Sequence, residues 1–139
     1  MIILDTNVIS EPLRLQAEPR VIAWLDAQEP SELWLTAITA TELQTGIERM
    51  PEGAKRRNLE VQIRAILDED FSGRIAAFDV DAAPYHAEIA AAKARLGQKV
   101  EVLDVQIAAI ARLRGAVVDT RNIKHFDNCG IELVDPWTV

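Results

Sequence analysis

The chain opens on Met1-Ile2-Ile3-Leu4, an apolar, β-branched run that stops at Asp5. Such a run predicts a strand buried on both faces of a parallel sheet, because a strand with one wet face alternates apolar with polar residues. Parallel strands need long crossovers, and the chain supplies them. Helices are predicted over Pro19–Gln28, with Val21, Ile22, Trp24 and Leu25 on the apolar side, over Thr36–Met50 and over Lys55–Leu67. Two more follow over Ala82–Leu96, closed by Gly97, and over Asp104–Arg114, closed by Gly115. Between them lie candidate strands at Glu32–Leu35, Ile75–Phe78, Ala116–Val118 and Ile131–Val134. The alternation predicts an α/β fold with a mainly parallel central sheet flanked by helices. At 139 residues, 49% of them hydrophobic, and with no repeat or linker, the chain reads as one domain over 1–139.

Several function classes are disfavoured. No apolar run approaches the roughly 18 residues a membrane span needs, and no basic leader precedes an apolar segment, so a soluble cytoplasmic protein is expected, with no membrane partner. The single Cys129 forms no internal disulfide and is given no role. A net charge of −7 argues against a protein that grips nucleic acid by bulk attraction. The charge is uneven, however. Residues 93–125 carry Lys93, Arg95, Lys99, Arg112, Arg114, Arg121 and Lys124 against Glu101, Asp104 and Asp119, a local +4 that leaves −11 elsewhere.

In open α/β sheets ligands collect beyond the carboxyl ends of strands, which is where Asp5 stands. Asp5 is also a good N-cap for a following helix. Glu42 completes a Thr39-Ala-Thr-Glu42 capping box, and Asp104, with Ile107, Ala108 and Ala111 at spacings of 3, 4 and 7, falls in the first turn of a helix where the dipole favours an acid. Three caps would be structural; three convergent carboxylates would bind a hard cation such as Mg²⁺ or Mn²⁺. Spacing leaves both readings open.

The motifs in order resemble those of the PIN-domain ribonucleases, specifically toxins of the VapC type and most closely the FitB-like branch. The residues concerned are Leu4-Asp5-Thr6-Asn7-Val8-Ile9-Ser10-Glu11, then Thr41-Glu42-Leu43 with Gly46, Phe71 to Asp79 with Tyr85 to Ile89, Asp104 to Ala111, and Thr120-Arg121-Asn122 with Phe126, Pro136 and Trp137. The resemblance implies a toxin that hydrolyses RNA phosphodiester bonds to a 5′-phosphate and a 3′-hydroxyl, with Asp5, Glu42 and Asp104 as catalytic metal ligands for Mg²⁺, Mn²⁺ being the alternative. It further implies a VapB-like antitoxin, a homodimer, and a higher assembly of toxin, antitoxin and operator DNA. The groove between the early helices and the Lys55–Leu67 helix is the candidate interface. Where many relatives carry a fourth aspartate this chain has Asn122 and His125. The fourth position then falls to Asn122 as a polar group that orients water, with Asp119 ranked after it and Asp127 nearby, and one firmly held cation is expected. Asn7 is expected to orient Asp5, and Arg121 and Lys124 are candidate phosphate contacts. His86, Trp24 and Trp34 read as structural.

Two other functions compete. Asp5-Thr6-Asn7 is superficially similar to phosphatases with an aspartate nucleophile, but those need an acid at the position Asn7 fills. A nuclease fold kept as a binding module is the non-enzymatic alternative.

Overall fold

The computed structural model describes residues 1–139. Its elements follow the predicted alternation: β1 (Ile2–Leu4), α1 (Thr6–Ser10), α2 (Pro19–Asp26), β2 (Leu33–Thr36), α3 (Ala37–Glu48), α4 (Ala54–Ala65), β3 (Ile75–Ala76), α5 (Ala83–Arg95), α6 (Val102–Arg114), β4 (Val117–Asp119) and β5 (Leu133–Val134). The five strands form one sheet in the order β3-β2-β1-β4-β5, and every pairing is parallel. The α/β fold is thus as expected, and the sheet is parallel throughout. No helix is long and apolar enough to cross a membrane.

The apolar opening run works as predicted. Ile3 and Leu4 are both fully buried, on opposite faces of the central strand. Ile3 joins a core with Ile89, Ile107, Ile110 and Val118, and Leu4 joins a second with Val8, Leu35, Leu43, Ile47 and Ile63. The first core is built largely on α6, in which Val105 and every residue from Ile107 to Ala111 is buried. That goes beyond the one-sided stripe the 3, 4, 7 spacing predicts. The alanines allow the sheet and α5 to approach α6 from two sides, so little of its surface is left wet. Gly115, at φ 63°, ends α6 in the left-handed conformation, and the Ala116 N–H returns to the Ala111 carbonyl in a Schellman closure.

Strand lengths differ from the sequence reading for a simple reason. β3 stops at Ala76 rather than Phe78 because its partner β2 turns into α3 after Thr36, leaving Ala77 and Phe78 nothing to pair with. β4 sits one residue later than predicted, since the β1–β4 register sets Leu4 opposite Asp119. α1 is an added short helix, capped by Asp5.

That register draws Asp119 into the sheet. Its side chain is fully buried, and neither carboxylate oxygen has a hydrogen-bond partner. Burial alone pushes its pKa from 3.8 up to about 8, so at neutral pH the folded protein holds Asp119 protonated. In the unfolded chain the same group is ionised above about pH 4. Folding therefore takes up a proton, and stability falls as pH rises between about 4 and about 8. Asp119→Asn removes that dependence. In urea unfolding the variant is expected to show a flatter pH profile, with the gap to wild type changing by about 1.4 kcal/mol per pH unit, on the order of 5 kcal/mol across the window; parallel profiles would contradict a protonated Asp119.

Candidate active site

Asp5, Glu42 and Asp104 arrive from three separate elements at the carboxyl edge of the sheet. Asp5 follows β1 and is the N-cap of α1, its Oδ1 accepting from the Thr6 N–H at 2.8 Å. Asp104 is the third residue of α6, in its first turn. Glu42 corrects the sequence reading. The cap of α3 is Thr36, whose hydroxyl accepts from the Thr39 N–H at 3.2 Å, so no capping box forms and Glu42 lies in the helix's second turn. Thr39 is instead buried within the helix. Freed from a capping role, the Glu42 carboxylate reaches across to α1, where its Oε1 accepts from the Thr6 hydroxyl at 2.8 Å.

The three acids sense one another. Burial raises the pKa of Glu42, the Thr6 hydroxyl opposes that rise, and the charges of Asp5 and Asp104 add to it. Asp104 is likewise raised, first by burial and next by Asp5, with His125 pulling the other way through its charge and its hydrogen bond. Glu42 and Asp104 therefore protonate more readily than free carboxylates do. Each acid is engaged by its own donor, and no three His, Cys, Asp or Glu side chains are closed into a metal-holding group. The oxygen donors suit a hard cation, and their mutual repulsion is what such an ion would relieve. Glu42 and Asp104 would both have to turn toward it from their present hydrogen bonds.

Around this trio the polar contacts are specific. Thr120, fully buried, donates from Oγ1 to Asp5 Oδ2 at 2.7 Å and accepts from the Asn122 N–H at 3.0 Å. Asn7 donates from Nδ2 to the same Asp5 oxygen at 3.2 Å, while its Oδ1 accepts from the Arg121 N–H at 3.1 Å. The amide of Asn7 therefore fastens the loop after β4 to the aspartate. His125 Nδ1 lies 3.0 Å from Asp104 Oδ2, so one of the two positions at which the resemblance implies a fourth acid holds a ring bonded to an acid.

The other candidates separate clearly. Asn122 is exposed beside Thr120, and Arg121 and Lys124 are exposed on the same loop. Asp119 is not gathered with the trio: its raised pKa owes nothing to their charges, and its side chain is sealed in the sheet. Asp127 is exposed at the end of the loop, and its carbonyl serves as an acceptor. His86 packs edge-on to Phe78 at 5.8 Å, Trp24 supports the second core, and Trp34 lies under the Arg114 guanidinium at 5.5 Å. Cys129 is buried and unpaired. A groove does run between α3 and α4, with Ile47, Ile63 and Leu67 in it and Glu48, Glu60 and Asp68 at its rim.

Three residues escaped the sequence reading. Thr6 and Thr120 stand inside the quoted motifs, but hydroxyls carry no pattern that marks them as carboxylate holders. Lys93 was counted only as charge. It is 3% exposed, and its Nζ donates to the carbonyls of Asp127 at 2.9 Å and His125 at 3.3 Å. A lysine on an alanine-rich helix reads as solvated; only the packing of α5 against the loop shows it anchoring the segment that carries His125. Lys93→Met leaves both carbonyls without their donor and is expected to cost about 1–3 kcal/mol. Hydrogen exchange should then quicken selectively in residues 122–129, while uniform quickening over the whole chain would contradict a local anchor.

Comparison with known proteins shows the family and the fold. Residues 2–130 match the family model described as the PIN domain. The chain is 36% identical over 137 residues to the VapC ribonuclease Y4jK of Sinorhizobium fredii, covering 99% of this chain and 98% of the relative. It is 37% identical over 137 residues to the toxin FitB of Neisseria gonorrhoeae, covering 99% of each. Among solved structures, FitAB bound to an IR36 DNA fragment superposes with a TM-score of 0.95 at 36% identity, over 100% of this chain and 97% of that one.

Proposed function

Since this chain belongs to the PIN-domain family, in the branch that holds the VapC and FitB toxins, we propose that it is a metal-dependent endoribonuclease and the toxin of a toxin–antitoxin pair. One observation supports the reading above others: three carboxylates from three elements converge, with the pKa values of two of them driven up by burial and then by the charge of their neighbours. Structural caps have no reason to meet. Asp5, Glu42 and Asp104 would hold the ion, Mg²⁺ or in its place Mn²⁺. When bound, the ion offsets charge on the phosphate oxygens and acidifies a water for attack on phosphorus.

The chain's own residues then have distinct tasks. Thr120 and Asn7 fix the Asp5 carboxylate from two directions, which orients it without neutralising it. Thr6 does the same for Glu42, and His125 orients Asp104 through its ring nitrogen. Asn122, which is exposed, would orient water as a neutral fourth group, and exposed Arg121 and Lys124 would meet substrate phosphates. With three acids rather than four, one cation should be held firmly before RNA binds. A VapB-like antitoxin would silence the site by presenting a basic side chain to this negative pocket. Homodimerisation through the α3–α4 groove, and a DNA-bound assembly like that of the FitAB neighbour, complete the proposal, with one domain over 1–139 acting in the cytoplasm.

The open arrangement of the three acids favours one other reading, a catalytically weak binding module within an antitoxin and DNA complex. Asp5→Asn separates the two. Freed of antitoxin, wild type should cleave RNA with Mg²⁺ and stop with a chelator, and the variant should lose at least about a hundredfold in rate. Sequencing the RNA ends made on brief induction would identify the target. If wild type and variant are equally inert on diverse RNAs, the binding module stands. A second outcome concerns pH. Ion binding needs deprotonated carboxylates, and those of Glu42 and Asp104 are raised, so cleavage is expected to fall on acidification while pH is still above the ordinary carboxylate range. More Mg²⁺ should move that acid limb to lower pH; a limb that ignores Mg²⁺ would show that proton and ion do not compete.

A further inference from the structure

An acidic protein that cleaves RNA has an electrostatic difficulty. The chain carries −7 overall, three of its acids are in the site, and its substrate is a polyanion. Some local cation must hold the strand while the carboxylates act on it. Many basic residues are engaged elsewhere. Arg14 pairs with Glu11, Arg56 with Glu48 and Glu60, Lys99 with Glu101 and Arg112 with Glu88, while Lys93 is buried.

Two guanidinium groups outside any salt bridge meet beside the site at one tryptophan, one on its ring and one on its carbonyl. Arg121 is joined to the acids by its backbone, since its N–H donates to Asn7, which donates in turn to Asp5. Its guanidinium stacks over the Trp137 ring at 5.0 Å. Arg20, on α2 and 117 residues away in sequence, donates from Nη1 to the Trp137 carbonyl at 2.9 Å. Both arginines are exposed, and neither takes part in any of the salt bridges of the molecule. Two acids stand nearby, each oriented by a backbone N–H and neither in a salt bridge with these arginines. Glu18 caps α2 by accepting from the Arg20 N–H at 3.3 Å, and Asp135 accepts from the Trp137 N–H at 2.9 Å. Trp137 thereby gathers two guanidinium groups from distant parts of the chain, neither of them in a salt bridge, and stacking on the ring costs Arg121 none of its five donors.

We propose that Arg20, Trp137 and Arg121 form a platform for the phosphodiester backbone of single-stranded RNA, holding the strand as it runs from the carboxylates. The two guanidiniums contact successive phosphates, and the indole keeps the Arg121 fork in place before the strand arrives. Contacts of this kind position a strand without reading its sequence. The inference rests on the ribonuclease reading and adds to it the path of the substrate.

The test measures binding apart from cleavage. In an Asp5→Asn background, binding of a fluorescent single-stranded RNA is followed by anisotropy from about 50 to about 300 mM salt. Neutralising one phosphate-binding cation should make the slope of log affinity against log salt shallower by about 0.7, so Arg20→Gln with Arg121→Gln should reduce it by about 1.4 and weaken binding roughly tenfold. Arg20→Lys with Arg121→Lys should restore the slope, which separates the effect of charge from misfolding. Arg114→Gln, at the far end of α6 from Asp104, should leave it unchanged. Trp137→Leu, which keeps both charges, should weaken binding several-fold. The platform is overturned if the double glutamine variant keeps the parent slope, if Trp137→Leu binds as the parent does, or if the variants release a co-purified antitoxin while binding RNA normally. Failure of wild type to cleave any RNA would instead count against the ribonuclease reading, which the salt slope does not measure.

Discussion

The contact on which the site depends is the one between Thr120 and Asp5. Parallel pairing of β1 with β4 sets Leu4 opposite Asp119, and the next residue of each strand then leaves the sheet at the same edge. The Asp5 N–H donates to the Asp119 carbonyl at 2.9 Å, and the Thr120 hydroxyl closes on Asp5 Oδ2 at 2.7 Å. A shift of one residue would send Asp5 into a core and Asp119 to the edge. The apolar burial of Ile3, Leu4 and Val118 holds the register, so the hydrophobic effect fixes where the carboxylate stands.

From that fixed point the polar network spreads in short steps. Asp5 is held by Thr6, Asn7 and Thr120, Asn7 holds Arg121, Thr6 holds Glu42, and His125 holds Asp104. Lys93 supports the far side by tying down the carbonyls of His125 and Asp127. Neutral donors surround most of these acids. They orient the carboxylates while leaving their negative charge in place, which is the state a cation needs to find. Asp119 is the opposite case, a carboxyl kept neutral by burial within one residue of the site.

The same division runs through the protein's charge. Acids dominate overall and three of them meet at the site, whereas many cations are spent on surface pairs. Arg20 and Arg121 are drawn together only because the chain's closing segment lays Trp137 between α2 and the loop after β4.

The sequence determined the α/β alternation, the buried opening strand and the trio Asp5, Glu42 and Asp104 as candidates, because each leaves a local mark: an unbroken apolar run, a helical period, an acid within an ordered motif. It misjudged Glu42, since a capping box can be read from spacing while the true cap, Thr36, depends on where β2 releases the chain. It ranked Asp119 near the site because a strand ending one residue earlier would have left it there. What only the tertiary structure decided is which groups face one another: Thr120 on Asp5, Lys93 beneath His125, Arg20 beside Arg121. The hydrogen bonds among them span from 32 to 117 residues of sequence, and contacts over such separations leave no periodic trace along the chain.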